Sequence, residues 1–213
     1  MKVLYRRRRK KFTICVESSI EEIISMDCVS DLIHLILPED ETLSSKCYSN
    51  KALLYFWTRT SRILSPNKEI KVKIYEKVDG NTLEAVSKIQ KKSWGFFIEP
   101  KPHLHVVFIG YGYLDGEPVA SAYYNPLSSN IDFGIHVARD LWRKRIGTRI
   151  LTEVLSYAFK RNKRFVSVIR LLGVKKPRPE DAVAKAFYRA NNPAYSFIVY
   201  RLKKECLKDS YRF

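Results

Sequence analysis

The chain has 213 residues, of which 46% are hydrophobic and 13% aromatic, enough apolar material for one sizeable domain or for a domain with an extension. Its formal net charge of +17 favours polyanionic partners such as nucleic acid and disfavours polycationic substrates such as polyamines. No apolar run approaches the ~20 residues of a membrane span, and no apolar segment follows the basic start of the chain, as it would in a secretory signal. We therefore expect a cytoplasmic protein that does not enter membranes.

The positive charge is concentrated in the second part of the chain. Residues 1–70 hold 12 Lys and Arg against 9 Asp and Glu, whereas residues 71–213 hold 27 against 13. A field of this sign attracts polyanions, so nucleic acid is one candidate partner of the second part.

The cysteines predict neither a disulfide framework nor a metal site. Cys15, Cys28, Cys47 and Cys206 form no CxxC pair. The spacing of Cys28 and His34 fits no usual ligand pattern. We expect inert thiols in a reducing compartment and no bound metal.

Residues 1–68 are predicted to form an N-terminal, mostly helical extension. Lys11–Val16 has the composition of a strand, but apolar residues recur at helical spacing over Ile20–Leu35, and a second helix is predicted over Asn50–Leu64. Ser65-Pro66-Asn67 punctuates the chain and marks the boundary. Three roles stay open for the extension: a small appended domain, a dimerisation element that makes a homodimer, or a cover for a sheet.

Residues 69–213 alternate strand and helix patterns and predict an α+β domain. Strand signals show period-2 alternation, as in Ile70, Val72 and Ile74, whereas helix signals repeat every three or four residues. In chain order we predict a strand from Ile70, a helix at Thr82–Lys92, strands at Val106–Ile109, Val119–Tyr124 and Ile131–Val137, a helix at Ile146–Lys160, a strand at Phe165–Ile169, a helix at Glu180–Ala190 and a strand at Tyr195–Leu202.

The stretch between the fifth of these elements and the next helix is suited to phosphate. Arg143, Lys144 and Arg145 stand directly before a helix that opens at Ile146, and Gly147 follows. The first turn of a helix has free N–H groups and the positive end of its dipole. Three cations and a glycine that allows close approach of a ligand complete a cradle for pyrophosphate.

This order of strand, basic loop and amphipathic helix resembles the acyl-CoA-binding motif of the GNAT N-acetyltransferases. In that family the loop reads roughly Gln/Arg-x-x-Gly-x-Gly/Ala, and its amides hold the CoA pyrophosphate. Gly147 stands at the last glycine position, Arg145 at the first and Trp142 at the Gln/Arg position. The resemblance covers about residues 70–203 and implies a mixed, mostly antiparallel central sheet flanked by helices, with acetyl-CoA as co-substrate. It implies CoA contacts for Val137, Ala138, Arg143, Lys144, Arg145, Ile146, Gly147 and Thr148.

The last helix matches a second motif of the family. The family has Asn-x-x-Ala-x-x-x-Tyr here, with the tyrosine near the CoA sulfur, and this chain has Asp181, Ala184 and Tyr188. The resemblance therefore implies cofactor contacts for Asp181 and Ala184, and a role for Tyr188 as general acid to the departing thiolate. A phenol with a pKa near ~10 can give up that proton without being ionised beforehand.

An amine acceptor must lose a proton before it attacks a thioester. Asp132 is the first candidate base, and His136, further along the same face of the strand, is the second because of its intrinsic pKa. A β-bulge, common in this strand of the family, would change which way they face. Phe165–Ile169, where several family members carry a base, has no carboxylate or histidine. A strand N–H near Val137 is expected to meet the developing oxyanion.

The loop after the first helix of the domain contains three aromatic residues, Trp94, Phe96 and Phe97. In the GNAT family this loop shapes the acceptor site, which implies that the three line a substrate wall. Their composition alone fits an aromatic core equally well. Both interpretations stay open.

Two functions stay open at this level. The first is an acetyl-CoA-dependent N-acetyltransferase acting on an amine of a protein, a peptide or an aminoacyl-tRNA, which the order of elements and Tyr188 favour. The second is a non-catalytic module on the same fold that binds CoA or nucleic acid. Arg145, the strand without a base and the positive charge favour this second function.

Overall fold

The computed structural model describes residues 2–8, 11–17, 34–39, 48–112, 116–172 and 179–202. The strands in these ranges are β1 (Lys2–Arg8), β2 (Lys11–Glu17), β3 (His34–Pro38), β4 (Tyr48–Thr58), β5 (Lys71–Tyr75), β6 (Val106–Tyr111), β7 (Pro118–Asn125), β8 (Asn130–Val137), β9 (Phe165–Leu172) and β10 (Tyr195–Leu202). The helices are α1 (Gly80–Trp94), α2 (Ile146–Lys160) and α3 (Pro179–Ala190), with a 3₁₀ turn at Arg139–Leu141. Each helix in the described ranges is too short or too polar to cross a bilayer.

The chain forms two compact units. The first comprises residues 1–54, 170–185 and 196–213, and the second comprises residues 55–169 and 186–195. The predicted division at residue 68 and the role of the N-terminal extension stay predictions.

The second unit is built on a mixed sheet with the strand order β4-β9-β8-β7-β6-β5. Strands β5 to β8 pair antiparallel, and β8 pairs parallel with β9. The predicted α+β fold, with a mostly antiparallel sheet flanked by helices, is thereby confirmed. The strands and helices predicted from Ile70 to Leu202 all form, and their observed ends differ from the predicted ones by a few residues.

Helices α1 and α2 cover opposite faces of this sheet. Ile89 of α1 packs in one buried cluster with Val107 and Tyr123. On the other face, the ring of Phe108 in β6 meets Tyr157 of α2 at 5.5 Å between centroids. Because successive residues of β6 point to opposite faces, the strand is buried on both sides. The sheet is therefore the middle layer of three, and the α1 face and the α2 face are chemically separate.

Helix α1 has both of its ends fixed by local hydrogen bonds. The carboxylate of Asp79 caps the N-terminus by accepting from the N–H of Thr82 at 2.8 Å. Hydrogen bonds from the Thr82 hydroxyl and N–H hold the pKa of Asp79 below its usual value. Gly95 closes the helix at φ 82°, a left-handed conformation suited to glycine, and donates its N–H to Lys91. This closure sets the direction of the aromatic loop that follows.

The prediction of a mostly helical extension is wrong where the structure describes it. The helix predicted over Asn50–Leu64 is replaced by β4, and the end of the first predicted helix is β3. In β4, Leu53, Tyr55 and Trp57 are at most 1% exposed, and Ala52 is also buried. Leu54 and Phe56, on the other face, are half-buried. Because both faces carry large apolar side chains, the sequence has no polar alternation and resembles that of a buried helix. The predicted strand at residues 11–16 is confirmed by β2, and residues 18–33 lie outside the described ranges.

The first unit pairs N-terminal strands with the last strand of the chain. Its strand order is β2-β1-β3-β10, and every pair is antiparallel, with Ile36 opposite Val199. Within this unit, Lys185 of α3 forms an ion pair with Glu39 at 3.4 Å. Within the described residues, the extension thus supplies β3 as a neighbour of β10.

Candidate active site

Strand β8 carries a bulge of two residues. Tyr123 of β7 pairs with Asp132, but its neighbour Ala122 pairs with Ile135, so Phe133 and Gly134 have no partners across the ladder. Both adopt positive φ angles, 62° and 85°. Because the bulge inserts two residues instead of one, the period of two is kept beyond it. Asp132 and His136 therefore stay on the same face of the sheet, and the change of direction expected from a bulge does not occur.

A gap opens on the other edge of β8. The parallel register with β9 joins only Asn130 and Ile131 to Ser167 and Val168. Beyond Ile131 the two strands no longer pair, although both continue for several residues. The edge of β8 between the bulge and its C-terminal end is therefore open to another hydrogen-bonding group.

The hydroxyl of Tyr188 lies at this edge. Its oxygen accepts the N–H of Ile135 at 3.2 Å, and a Cβ on Gly134 would stand only 2.9 Å from that oxygen. The tyrosine is 3% exposed and packs against Tyr55 and Trp57, with ring centroids at 5.4 and 5.9 Å. The glycine in the bulge thus allows a buried phenol to reach the strand backbone.

The basic loop before α2 has left-handed residues of the kind found in anion-binding loops. Arg143 and Arg145 both adopt left-handed conformations, with φ of 65° and 57°. Arg145 is the residue that precedes the helix, its side chain makes no capping hydrogen bond, and the first turn contains no acid. The N–H groups of that turn have no intrahelical acceptor. The left-handed φ explains why glycine suits the position of Arg145, because a side chain there costs about 1–2 kcal/mol.

The loop is held by a neighbouring segment of the chain. The side chain of Asn67 donates to the carbonyl of Lys144 at 3.0 Å, and the N–H of Asn67 donates to the carbonyl of Arg145. The guanidinium of Arg145 donates to the carbonyl of Ser65 at 3.4 Å. The side chain at the usual glycine position is thus directed to the segment near Ser65.

Gly147 allows α2 to approach α3 closely. A Cβ at this position would lie 3.0 Å from Cε2 of Phe187 and 3.5 Å from Cγ2 of Val137. Phe187 precedes Tyr188, and their rings touch at 5.0 Å between centroids. The glycine of the cradle therefore also determines where the end of α3 packs.

We expect Gly147→Ala to lower the free energy of unfolding by about 1–3 kcal/mol, because the added methyl group overpacks the contact with Phe187. Urea denaturation monitored by circular dichroism measures this. Gly80→Ala is the matched control, since nothing lies within 4 Å of a Cβ at Gly80. Equal stability of the two variants would contradict the packing role.

On the α1 face, Asp132 is surrounded by neutral donors. Its Oδ2 lies 2.9 Å from Nε2 of His105 and 3.4 Å from the amide of Asn125, and its Oδ1 accepts from the amide of Asn130. Nδ1 of His105 accepts the N–H of Lys101 at 3.0 Å, which assigns the ring proton to Nε2. The His105 side chain is 2% exposed and that of Asp132 is 26% exposed. The side chain of Asp132 is thus held in place by three hydrogen-bond donors.

His136 is enclosed by aromatic rings. It is 0% exposed, and Trp94 meets it edge-on at 4.1 Å between centroids. Trp94 also contacts Phe96, which is 52% exposed, whereas Phe97 packs against the core cluster under α1. The three aromatic residues of the loop therefore have different environments: Trp94 covers a histidine, Phe96 faces solvent and Phe97 packs against the core.

Sequence reasoning missed the residues that fix this loop. Tyr123 donates its hydroxyl to the carbonyl of Ile98 at 2.7 Å and accepts from Gln90, whose amide oxygen accepts the N–H of Ile98. Burial raises the pKa of Tyr123 well above its usual value. Gln90 and Tyr123 are 33 positions apart, and His105 and Asp132 are 27 apart. No spacing in the sequence signals such pairs, because the sheet brings them together.

The remaining predicted site residues have contacts of their own. The carbonyl of Val137 accepts the indole N–H of Trp142 at 2.9 Å, and the N–H of Ala138 donates to Val119. In the first unit, Asp181 is 5% exposed and forms an ion pair with Arg170 at 3.2 Å. Ala184 is half-buried in the same part of α3.

An open cavity of about 500 Å³ lies elsewhere, on the α2 face beside β5. Glu76, Tyr157 and Arg161 line it together, and burial and the hydrogen bond to Glu76 raise the pKa of Tyr157 to about 12. None of the predicted site residues lines this cavity. We place the candidate site at the bulge, because the titratable groups and the anion cradle lie there.

Residues 71–192 match the family model described as Acetyltransferase (GNAT) family. A comparison with curated protein sequences gave no match. Similar solved structures include a GCN5-related N-acetyltransferase from Sphaerobacter thermophilus, with 15% identity and a TM-score of 0.47 over 72% of this chain and 51% of that one. Another is a GCN5-related N-acetyltransferase from Kribbella flavida, with 13% identity and a TM-score of 0.48 over 76% of this chain and 62% of that one. The chain thus spans less than two thirds of the length of these two proteins. The ribosomal-protein-S18-alanine N-acetyltransferase of Escherichia coli aligns at 17% identity and TM-score 0.40, over 62% of this chain and 94% of that one.

Proposed function

The chain belongs to the acetyltransferase (GNAT) family, and we propose that it is an N-acetyltransferase that moves an acetyl group from acetyl-CoA to a primary amine. The observation that carries the proposal is the Tyr188 phenol at the open edge of β8, hydrogen-bonded to Ile135 beside the bulge. The second group is the carboxyl of Asp132, which lies on the α1 face of the same bulge and is the proposed proton acceptor. A proton donor and a proton acceptor thus flank one short segment of backbone.

The basic loop supports the use of acetyl-CoA. Arg143 and Lys144 are exposed, and the amides at the start of α2 have no intrahelical acceptors, which fits a pyrophosphate group. Acetyl-CoA would supply an activated thioester. The left-handed residues of the loop turn successive amides toward one side, as anion-binding loops do.

Tyr188 and Asp132 are proposed to move the two protons. The Tyr188 oxygen accepts the Ile135 N–H, and its hydroxyl is the group that we propose protonates the leaving thiolate. The partly exposed carboxylate of Asp132 can meet an incoming ammonium and take its proton, directly or through water. His136 is the second candidate, and its complete burial under Trp94 favours Asp132.

Calorimetric titration tests the cofactor assignment. We expect acetyl-CoA to bind at least about tenfold more tightly than ATP. Both ligands have phosphates for the basic loop, but only acetyl-CoA has a further part that can bind at the open edge of β8. Arg143→Ala combined with Lys144→Ala should weaken acetyl-CoA binding about tenfold, because each cation contributes about 0.5–1 kcal/mol with a phosphate. The matched control is Lys160→Ala with Lys163→Ala, about 22 Å away at the other end of α2.

Two outcomes would contradict this assignment. Equal affinity for acetyl-CoA and ATP would indicate a loop that recognises only phosphate. Binding of acetyl-CoA without turnover of any amine would favour the non-catalytic module. If the exposed cations serve nucleic acid instead, affinity for an oligonucleotide should fall steeply as salt is raised.

A further inference from the structure

The acceptor side of the proposed site is a continuous wall of aromatic rings. From the end of α1 to the bulge, ring centroids follow one another at 5.3 Å (Phe96 to Trp94), 4.1 Å (Trp94 to His136), 6.3 Å (His136 to Tyr123) and 6.3 Å (Tyr123 to Phe133). The inner rings, His136 and Tyr123, are 0% exposed, whereas Phe96 and Phe133 at the two ends are 52% and 43% exposed. The wall is therefore fixed in the core and open to solvent at its ends.

Phe133 stands at this wall in a strained conformation. Its φ of 62° is one that a bulky side chain avoids, whereas the next residue, Gly134, adopts a positive φ readily. Its ring stands edge-on to His105, at 6.4 Å and 87°, with much of its surface in solvent. Neither burial nor backbone preference accounts for a phenylalanine here. Strain of this kind is found where a side chain serves a ligand.

One negative charge lies beside Phe133. The carboxylate of Asp132 contacts His105, the same histidine that the ring of Phe133 meets, so both side chains lie next to this histidine. Among the described residues, the donors to this carboxylate are Nε2 of His105 and two side-chain amides, and none of these three is a lysine or an arginine. A single carboxylate among aromatic faces favours a cation that has apolar surface next to it.

We infer that the acceptor is a monoamine that carries an apolar, preferably aromatic, group next to its ammonium, and that Phe133 selects for that group. The ammonium lies at Asp132, and the apolar group lies against Phe133 at the exposed end of the wall. Polycations are disfavoured because the site offers one carboxylate in a chain of net charge +17. This inference rests on the proposed acetyl transfer and specifies its acceptor.

The test compares kcat/KM for acetyl transfer from acetyl-CoA to 2-phenylethylamine, ethylamine and spermidine. We expect kcat/KM for 2-phenylethylamine to exceed that for each of the other two amines by about tenfold or more. Its phenyl group is apolar surface that leaves water on binding, and the other two amines have no such group. A peptide amide with N-terminal phenylalanine presents the same chemistry on a larger body. Its rate relative to 2-phenylethylamine shows whether the acceptor is a small amine or a chain terminus.

Phe133→Ala should reduce the ratio of kcat/KM for 2-phenylethylamine to that for ethylamine to about twofold or less. Phe133→Leu keeps an apolar side chain and should retain an intermediate preference. Leu127→Ala is the control, because this side chain is 81% exposed in the turn before β8 and lies outside the wall. An unchanged preference in Phe133→Ala would overturn the inference.

Failure of the inference and failure of the proposed function give different results. If ethylamine or spermidine is acetylated as well as 2-phenylethylamine, acetyl transfer stands and the inferred selectivity is wrong. If no amine is acetylated, direct titration with 2-phenylethylamine decides the inference. If 2-phenylethylamine binds and Phe133→Ala loses this binding, the inferred amine site stands without the acetyl transfer. If 2-phenylethylamine does not bind, both the inferred site and the proposed function are overturned.

Discussion

Replacing Tyr188 by phenylalanine is expected to lower kcat for acetyl transfer by about 100-fold, the lower end of what a general acid contributes. The affinity for acetyl-CoA should change less than about twofold, because the ring keeps its packing against Tyr55 and Trp57. The lost hydroxyl leaves the N–H of Ile135 without its acceptor, which should reduce the free energy of unfolding by about 1 kcal/mol. Steady-state release of the CoA thiol, calorimetric titration and urea denaturation measure the three quantities.

Tyr195→Phe is the control for this substitution. Tyr195 lies in the same unit, but it is 60% exposed and lies outside the proposed site. It should keep the kinetics of the parent protein. An unchanged kcat in Tyr188→Phe would mean that the buried phenol serves packing alone, and the proton for the leaving group would need another source.

The second large effect is expected at Asp132. We expect Asp132→Asn to reduce kcat/KM by about 100-fold or more, because the amide neither takes a proton from the ammonium nor attracts it. The shape of the side chain is conserved, so the His105 contact can persist through the amide oxygen. Saturation kinetics with the best acceptor should show a loss in kcat together with a rise in KM.

His136→Asn, measured beside it, separates the two candidate bases. A large loss in this variant with a small one in Asp132→Asn would assign the proton transfer to His136. Glu84→Gln controls for the loss of one carboxylate, since Glu84 is exposed on α1 and pairs with Lys88 at the surface. It should leave kcat/KM within about twofold.

Local patterns in the sequence identified most strands and helices of residues 70–202, including those that carry the candidate site. The periods of Ile131–Val137 and of the following helix located β8, the basic loop and α2, because such patterns are properties of neighbouring residues. The resemblance of the last helix to the family motif pointed to Tyr188, which the structure buries against Tyr55 and Trp57. The same reasoning failed for β4, where apolar side chains on both faces removed the polar alternation that identifies a strand.

The sequence by itself predicted the α+β fold, and it proposed the basic loop as an anion cradle and Tyr188 and Asp132 as site candidates. Only the tertiary structure decided how these residues are arranged. The two-residue bulge keeps Asp132 and His136 on one face, and the sheet brings His105 and Tyr123 to them from strand ends far away along the chain. The exposed Phe133 owes its position to the backbone of that bulge. Strand pairing and register depend on contacts between distant residues, and these contacts leave no periodic trace in the sequence.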